Sequence, residues 1–191
     1  IAQGHRSRGT TSMTPTLISY SPEIQARAVA AERNARAEGQ RGVLGIHLEG
    51  PFFDLSRRGT HKAEMIRPPL QEDIDQLCSI SDMAVIATLA PEHVSLQSIR
   101  QLVGAGIHVC AGHTNANYLQ IQAAIEAGLR GFTHLFNAMS PLTAREPGTV
   151  GAALDSDETW MGIIADGHHV HPAAIRVAYR SNPRGKLMLV S

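Results

Sequence analysis

The chain has 191 residues, which is enough for one domain with a sizeable core. Its 17 basic and 17 acidic residues cancel, and no basic stripe suggests a nucleic-acid partner or a membrane surface. No apolar run approaches the roughly 20 residues of a spanning helix. Two cysteines, Cys78 and Cys110, imply no disulfide framework and fit a reducing cytoplasm.

Helix-like and strand-like segments alternate along the chain. A first helix is predicted to end within residues 1–8, and a second begins with Ser21 as N-cap and Pro22 in its first turn and ends near Gly39. Further helices are predicted over 70–80, 95–105, 115–128 and 172–181. Strands are predicted over 13–18, 43–48, 83–89, 107–111, 131–134, 160–165 and 186–190, with long loops over 50–69 and 136–151.

This alternation predicts an α/β fold built from βα units around a parallel sheet. Strands that are apolar on both faces fit a parallel sheet that is covered by helices. A (β/α)8 barrel of the TIM type usually needs about 250 residues, so six or seven strands predict an incomplete barrel. A doubly wound sheet is the competing architecture, although no Gly-x-Gly-x-x-Gly follows a strand.

Three polar residues stand where buried strands run out into loops: Glu49, His113 and His134. One carboxylate and two imidazoles at convergent strand ends suit a divalent metal, which can make water a nucleophile at neutral pH. Each residue alone also has a structural interpretation. Glu49 could cap a backbone N–H, His113 could belong to a helix N-cap region, and His134 could be a satisfied core histidine.

Other candidates follow the same strand ends. His61 lies in a basic, glycine-containing loop, where it could meet a phosphate, polarise a carbonyl or simply be solvated. Arg145 could offer a bidentate fork to a phosphate or carboxylate, or pair with Glu146. Asn137 and Ala138 could present an amide and a backbone N–H to an anion. His169 could bind sugar hydroxyls or a carbonyl, whereas peripheral or structural roles are predicted for His168, His171, His5, His47, His93 and His108.

Seven blocks in chain order resemble the N-acetylglucosamine-6-phosphate deacetylases of the amidohydrolase superfamily. They are His47-Leu-Glu49-Gly-Pro-Phe, Gly59-Thr-His61, Leu89-Ala-Pro-Glu92, Ala111-Gly-His113-Thr-Asn, Thr133-His134-Leu-Phe-Asn137-Ala-Met, Arg145-Glu-Pro-Gly148 and Gly162-Ile-Ile-Ala-Asp166-Gly-His-His169-Val. The resemblance covers essentially the whole chain. It implies a (β/α)8 barrel that removes acetate from N-acetylglucosamine 6-phosphate to give glucosamine 6-phosphate.

The resemblance also implies roles for individual residues. It assigns metal ligation to Glu49, His113 and His134, and His61 would polarise the acetyl carbonyl. Substrate contact would come from Thr60, His61, Asn137, Ala138, Arg145, Asp166, Gly167, His168 and His169. The family's catalytic Asp is expected just after Ser191, and its first strand, the end of the barrel and a small β domain are also expected outside these residues. Residues 1–191 are therefore predicted to be a partial amidohydrolase barrel domain, inactive alone.

The expected cofactor is one divalent metal ion, with zinc first and iron, manganese or cobalt as alternatives. The expected partner is a small amino-sugar phosphate, with no nucleic acid and no membrane. A homodimer in the cytoplasm is expected for the whole protein. Two alternatives stay open: a cyclic-amide hydrolase or deaminase of the same superfamily, and an inactive fragment that binds a metal or a sugar phosphate. Cyclic-amide hydrolases and deaminases usually have an early His-x-His pair, whereas the His-x-His of this sequence, His169-Val170-His171, follows the last candidate ligand.

Overall fold

The computed structural model describes residues 2–182 and 185–190, so Ile1 of the first predicted helix lies outside the described residues. The helices are α1 (Ala2–Arg6), α2 (Pro22–Ala37), α3 (Gln71–Cys78), α4 (Leu96–Gly104), α5 (Tyr118–Glu126), α6 (Gly148–Asp155) and α7 (Pro172–Ser181). The strands are β1 (Thr16–Leu17), β2 (Gly45–Glu49), β3 (Ala84–Leu89), β4 (His108–Ala111), β5 (Gly131–Phe132), β6 (Trp160–Ile163) and β7 (Leu187–Leu189). None of the described helices combines the length and apolar character that a membrane-spanning segment requires.

The seven strands form one parallel sheet in which each strand pairs with the next along the chain. A doubly wound sheet would instead reverse its strand order near the middle, so that architecture is excluded. Crossovers between parallel strands are right-handed, and a strand order that never reverses places all the connecting helices on the same face. The prediction of an incomplete TIM-type barrel is therefore confirmed.

The two faces of the sheet differ in chemistry. Residues that pair across parallel strands point to the same face, so Glu49, Thr88 and Cys110 share one row. The alternate positions are buried apolar side chains that pack with the helices, namely Ile46, Leu48, Val85, Ala87, Leu89 and Val109. The prediction of strands apolar on both faces is therefore wrong for the face away from the helices, where polar side chains lead to the carboxyl end of the sheet.

Several predicted bounds differ from the structure: the strand predicted over 13–18 is confined to Thr16–Leu17, the strand predicted over 160–165 ends at Ile163, and the helix predicted over 115–128 is Tyr118–Glu126. Two further differences have a clear physical reason. The loop predicted over 136–151 already contains the start of α6. Residues 148–153 of that helix are all buried, so the segment has no polar face and shows no helical periodicity in the sequence. The strand predicted over 131–134 ends at Phe132, because His134 adopts a left-handed backbone conformation that a strand cannot contain.

A substitution at Gly45 can test how closely β2 and β3 approach each other. A Cβ atom at this position would lie 1.8 Å from the carbonyl oxygen of Ala84, its partner on β3. We expect Gly45→Ala to lower the free energy of unfolding of the complete protein by about 3 kcal/mol, the upper range for overpacking. Urea unfolding followed by circular dichroism measures this loss.

The matched control is Gly104→Ala at the end of α4, where no neighbouring atom lies within 4 Å of an added Cβ. That substitution should be neutral or stabilising, because alanine is a better helix former than glycine. Equal unfolding midpoints for the Gly45→Ala and wild-type proteins would contradict the close approach of β2 and β3.

Candidate metal centre

The side chains of Glu49, His113 and His134 meet at the carboxyl end of the sheet. Glu49 is the last residue of β2, and the histidines lie two residues beyond β4 and β5. The Nε2 atoms of His113 and His134 are 3.4 and 3.2 Å from Oε1 of Glu49 and 3.0 Å from each other. A tetrahedral zinc ion with bonds of about 2.0–2.1 Å holds its ligand atoms about 3.3 Å apart. The spacing of these three atoms therefore fits one such ion.

The opposite ring nitrogens determine what these histidines present to the centre. Nδ1 of His113 lies 2.8 Å from the carbonyl oxygen of Arg57, and Nδ1 of His134 lies 3.1 Å from that of Asn137. A carbonyl oxygen can only accept, so each Nδ1 carries a proton and Nε2 is the ring atom that can turn a lone pair inward. When both rings are neutral, two lone pairs and a carboxylate oxygen face one another. A cation resolves this repulsion, so the donor set fits a divalent metal.

The carboxyl group of Glu49 is ionised at neutral pH. Its side chain is only 12% exposed, and this burial by itself would raise its pKa. The facing rings of His113 and His134 outweigh this burial and hold the pKa of Glu49 well below the usual range of a glutamate. The centre therefore keeps one negative charge to offset a bound cation.

Backbone strain is concentrated in the two histidine loops. In the described part of the chain, the non-glycine residues with positive φ are His113 at 49°, His134 at 42°, Phe136 at 76° and Ala138 at 50°. Such conformations cost of order 1–3 kcal/mol each and persist only where the surrounding structure enforces them. Their clustering beside Glu49 indicates that the loops are shaped for the site.

Packing holds the ring of His113 from two further sides. The ring of Phe53 stacks on it with centroids 4.4 Å apart and an interplanar angle of 27°. A Cβ atom on Gly59, which has φ of 56°, would lie 3.2 Å from Cε1 of His113. The loop after β2 therefore fixes the orientation of a side chain that follows β4.

His61 is brought to the same cluster from that loop. It is 3% exposed, and its ring centroid is 4.5 Å from that of His113. One of its ring nitrogens lies within 4.8 Å of ligand atoms of Glu49 and His113. Burial, with a further contribution from His113, lowers the pKa of His61 to about 4, so the ring is neutral.

Two residues with no predicted role support the cluster. Ser19 contacts Nδ1 of His61 through its hydroxyl at 2.8 Å. The carboxylate of Glu92 accepts hydrogen bonds from the Thr114 hydroxyl and the Asn115 backbone N–H, both at 2.5 Å, and so holds the turn that carries His113. Ser19 and Glu92 lie two or three residues beyond β1 and β3. The search for polar residues just beyond predicted strands, which identified Glu49, could therefore also have identified Ser19 and Glu92.

A second group of possible ligands consists of Asp54, Glu92 and His93, whose ligand atoms lie within 4.8 Å of one another. His93 pairs with Asp54 at 3.0 Å, and Asp54 also accepts from the backbone N–H of Ser56 at 2.9 Å. These carboxylates are already satisfied by protein donors. The group is therefore accounted for without an ion, and His93 remains compatible with its predicted structural role.

The predicted substrate residues near His134 belong to its turn. The backbone N–H of Asn137 donates to the carbonyl oxygen of His134 at 2.9 Å, and its side-chain amide lies 3.4 Å from the same oxygen. The carbonyl oxygen of Ala138 accepts from the backbone N–H of Thr114 at 3.1 Å, which joins the two histidine loops. Thr60, beside His61, is exposed.

Arg145 is exposed and does not form the alternative ion pair with Glu146. The carboxylate of Glu146 instead accepts from the backbone N–H groups of Tyr118 at 2.8 Å and Gly148 at 2.9 Å. These hydrogen bonds lower the pKa of Glu146. The guanidinium of Arg145 is thus left available to a ligand.

Asp166, Gly167, His168 and His169 form an exposed turn after β6. The carboxylate of Asp166 accepts from the backbone N–H groups of His168 and His169, both at 2.9 Å, and contacts Nδ1 of His169 at 2.7 Å. These bonds hold the pKa of Asp166 well below its usual range. Since β6 is parallel to β5 and pairs with it, the turn lies at the same carboxyl end of the sheet as His134.

Comparison with known proteins gives a consistent result. No family model matches the chain. The chain is 43% identical over 190 residues to N-acetylgalactosamine-6-phosphate deacetylase of Shewanella sp. strain ANA-3, covering 99% of the chain and 48% of the relative. It is 40% identical over 177 residues to N-acetylglucosamine-6-phosphate deacetylase of Vibrio furnissii, covering 90% of the chain and 44% of the relative. The chain thus spans about half the length of the curated relatives it matches.

A solved structure extends the similarity to the fold. It is a mutant N-acetyl-D-glucosamine-6-phosphate deacetylase of Mycobacterium smegmatis in complex with N-acetyl-D-glucosamine-6-phosphate. It superposes with a TM-score of 0.92 at 36% identity, over 100% of this chain and 50% of the solved one. The chain is therefore similar in sequence and fold to about half of an N-acetylglucosamine-6-phosphate deacetylase, which confirms the predicted resemblance.

Proposed function

We propose that the protein containing this chain is a metal-dependent hydrolase that converts N-acetylglucosamine 6-phosphate into glucosamine 6-phosphate and acetate. The observation that carries the proposal is the convergence of one carboxylate oxygen and two imidazole nitrogens within 3.0–3.4 Å of one another. Relatives with 40–43% identity that are named as amino-sugar-phosphate deacetylases support the substrate class. In this proposal, the chain forms a single partial barrel domain.

Glu49, His113 and His134 would hold one divalent cation, with zinc preferred because two imidazoles and a carboxylate suit it. When bound, such a cation supplies an activated water and polarises the scissile carbonyl. The neutral His61 beside the centre can donate a hydrogen bond to the acetyl oxygen as negative charge develops there. The carbonyl groups of Arg57 and Asn137 keep the two ligand rings in their metal-binding tautomer.

The remaining candidates would bind the sugar phosphate. Arg145, with the turn of Asn137 and Ala138, is proposed to hold the phosphate, and Thr60 is proposed to contact the substrate beside His61. Asp166 orients the ring of His169 through its Nδ1, so Nε2 of His169 is free to meet a sugar hydroxyl. Gly167 and His168 complete that exposed turn. A homodimer and a cytoplasmic location remain part of the proposal for the whole protein.

The direct test is an assay of the complete protein, purified without added metal and then loaded separately with zinc, iron(II), manganese or cobalt. Acetate release from N-acetylglucosamine 6-phosphate, restored by one of these ions after chelation, is the expected result. Hydrolysis of a cyclic amide or deamination of a nucleobase, with no acetate release, would instead establish one of the alternative superfamily activities. Metal and sugar-phosphate binding without turnover would identify a non-catalytic binding protein.

N-acetylgalactosamine 6-phosphate is a second candidate substrate. The relative with 43% identity is named for that sugar, whereas the one with 40% identity is named for the glucose epimer. The two sugars differ only in the configuration of one hydroxyl. The ratio of their kcat/KM values in the same assay decides which epimer the site prefers.

Arg145→Ala tests the phosphate assignment. We expect the KM for N-acetylglucosamine 6-phosphate to rise by about 10–100-fold, the range for losing a hydrogen-bonded charge. The KM for unphosphorylated N-acetylglucosamine should change little, because that sugar lacks the group Arg145 would bind. Steady-state kinetics with both sugars measures the difference.

The matched control is Arg100→Ala, which removes another exposed guanidinium, from α4 in the helical layer. It should leave both KM values unchanged. Equal rises for the two sugars in Arg145→Ala would remove Arg145 from the phosphate site.

A further inference from the structure

We infer that Ser19 is a positioning residue that fixes the tautomer of His61, so that His61 presents an N–H group to the metal centre and not a lone pair. The inference rests on the proposed function for its catalytic consequence. Ser19 lies two residues beyond β1 and is 4% exposed, and His61 is 3% exposed. The two therefore meet where water cannot substitute for either partner.

The backbone of Ser19 supplies the contact whose direction is unambiguous. Its N–H donates to Nδ1 of His61 at 3.3 Å. A backbone N–H can only donate, so Nδ1 must offer a lone pair, and the single proton of the neutral ring is then on Nε2. An imidazolium is excluded by the same contact, because its Nδ1–H would point at the Ser19 N–H.

The hydroxyl of Ser19 strengthens this choice. Its oxygen lies 2.8 Å from Nδ1 of His61 and 3.4 Å from the carbonyl oxygen of Glu49. In the competing arrangement, Nδ1–H would donate to the hydroxyl and the hydroxyl to Glu49. That arrangement keeps the 2.8 Å bond in the reverse direction, but it replaces the 3.3 Å donation from the Ser19 N–H with a 3.4 Å bond and sets two N–H groups against each other. The hydroxyl hydrogen therefore points at Nδ1.

The tautomer of His61 is opposite to that of the two neighbouring histidines, and this difference determines what His61 can do. His113 and His134 have backbone carbonyl oxygens at Nδ1, which leave Nε2 as a metal ligand. His61 has a backbone N–H at the same ring position, which leaves Nε2 protonated. His61 therefore cannot bind the cation, although a ring nitrogen lies within 4.8 Å of ligand atoms of Glu49 and His113. It can donate to the acetyl oxygen instead.

The test uses the complete zinc-loaded protein with 15N-labelled histidine. Long-range 1H–15N spectra distinguish protonated from unprotonated ring nitrogens, and the His61 signals are assigned by their disappearance in His61→Leu. We expect wild-type His61 to carry its proton on Nε2. Ser19→Ala keeps the long 3.3 Å backbone donation but loses the shorter hydroxyl donation at 2.8 Å. The signals should therefore shift toward those of a tautomer mixture, and kcat should fall by about tenfold, as for one lost hydrogen bond, with KM little changed.

Ser19→Thr, which retains the hydroxyl, should restore both the spectrum and kcat. A proton on Nδ1 of wild-type His61 would overturn the inference, and so would a Ser19→Ala protein with unchanged spectrum and kcat. The spectra do not depend on turnover. A protein with the expected tautomer but no deacetylation would support the assignment of Ser19 while rejecting the proposed function.

Discussion

Replacing Glu49 by Gln in the complete protein is expected to abolish metal binding and deacetylation together. The substitution keeps the shape of the side chain but removes the negative charge that faces the two imidazoles at 3.2 and 3.4 Å. Loss of a residue that only orients a metal ligand lowers the affinity for the metal by about 10–100-fold. We therefore expect loss of the ligand itself to lower that affinity by more than about 100-fold. Elemental analysis after dialysis, together with the rate of acetate release, measures both effects.

The matched control for this substitution is Glu64→Gln. Glu64 is an exposed carboxylate in the long loop after β2, and its removal changes the net charge by the same amount. Metal content and rate should match the wild type. A Glu49→Gln protein that retains its full metal content would show that Glu49 is not a ligand.

The sequence predicted that the three candidate ligands would meet because parallel strands bring their carboxyl ends together. Glu49, His113 and His134 were recognised as polar residues at the ends of apolar runs, and the fold places their ligand atoms within hydrogen-bond distance of one another. The sequence also predicted helix 172–181 with the same bounds as α7. Local patterns suffice where an element has one buried and one exposed side.

Helix α6 and the end of β5 could not be predicted in this way. Residues 148–153 are buried on every side, so the helix carries no amphipathic signal. Thr133 and His134 continue an apolar run but leave the strand, because His134 has φ of 42°. Contacts with Asn137 close the turn that contains His134, and the apolar pattern does not reveal them.

The partners of the site residues were the other part that the sequence did not reveal. Ser19 and Glu92 are separated from His61 and Thr114 by 42 and 22 positions, and their contacts depend on the fold. A serine or glutamate after a strand is also common in ordinary turns. The sequence therefore identifies candidate ligands more readily than the residues that orient them.

His61→Leu is expected to separate catalysis from metal binding. Leucine removes the Nε2–H donor while filling much of the buried space beside Phe53 and His113. Removing one donor to a developing oxyanion typically costs about 10²–10³-fold in kcat, and we expect a loss of that size. The metal content should stay at the wild-type value, since the three ligand atoms of the centre are all retained.

His61→Gln is the control for this substitution, because its side-chain amide can still donate a hydrogen bond from a similar position. It should recover part of kcat, with a metal content equal to that of His61→Leu. Loss of metal from both variants would make His61 a fourth protein ligand. That result would contradict its donor role, because an Nε2 atom bound to a cation has no proton to offer the acetyl oxygen.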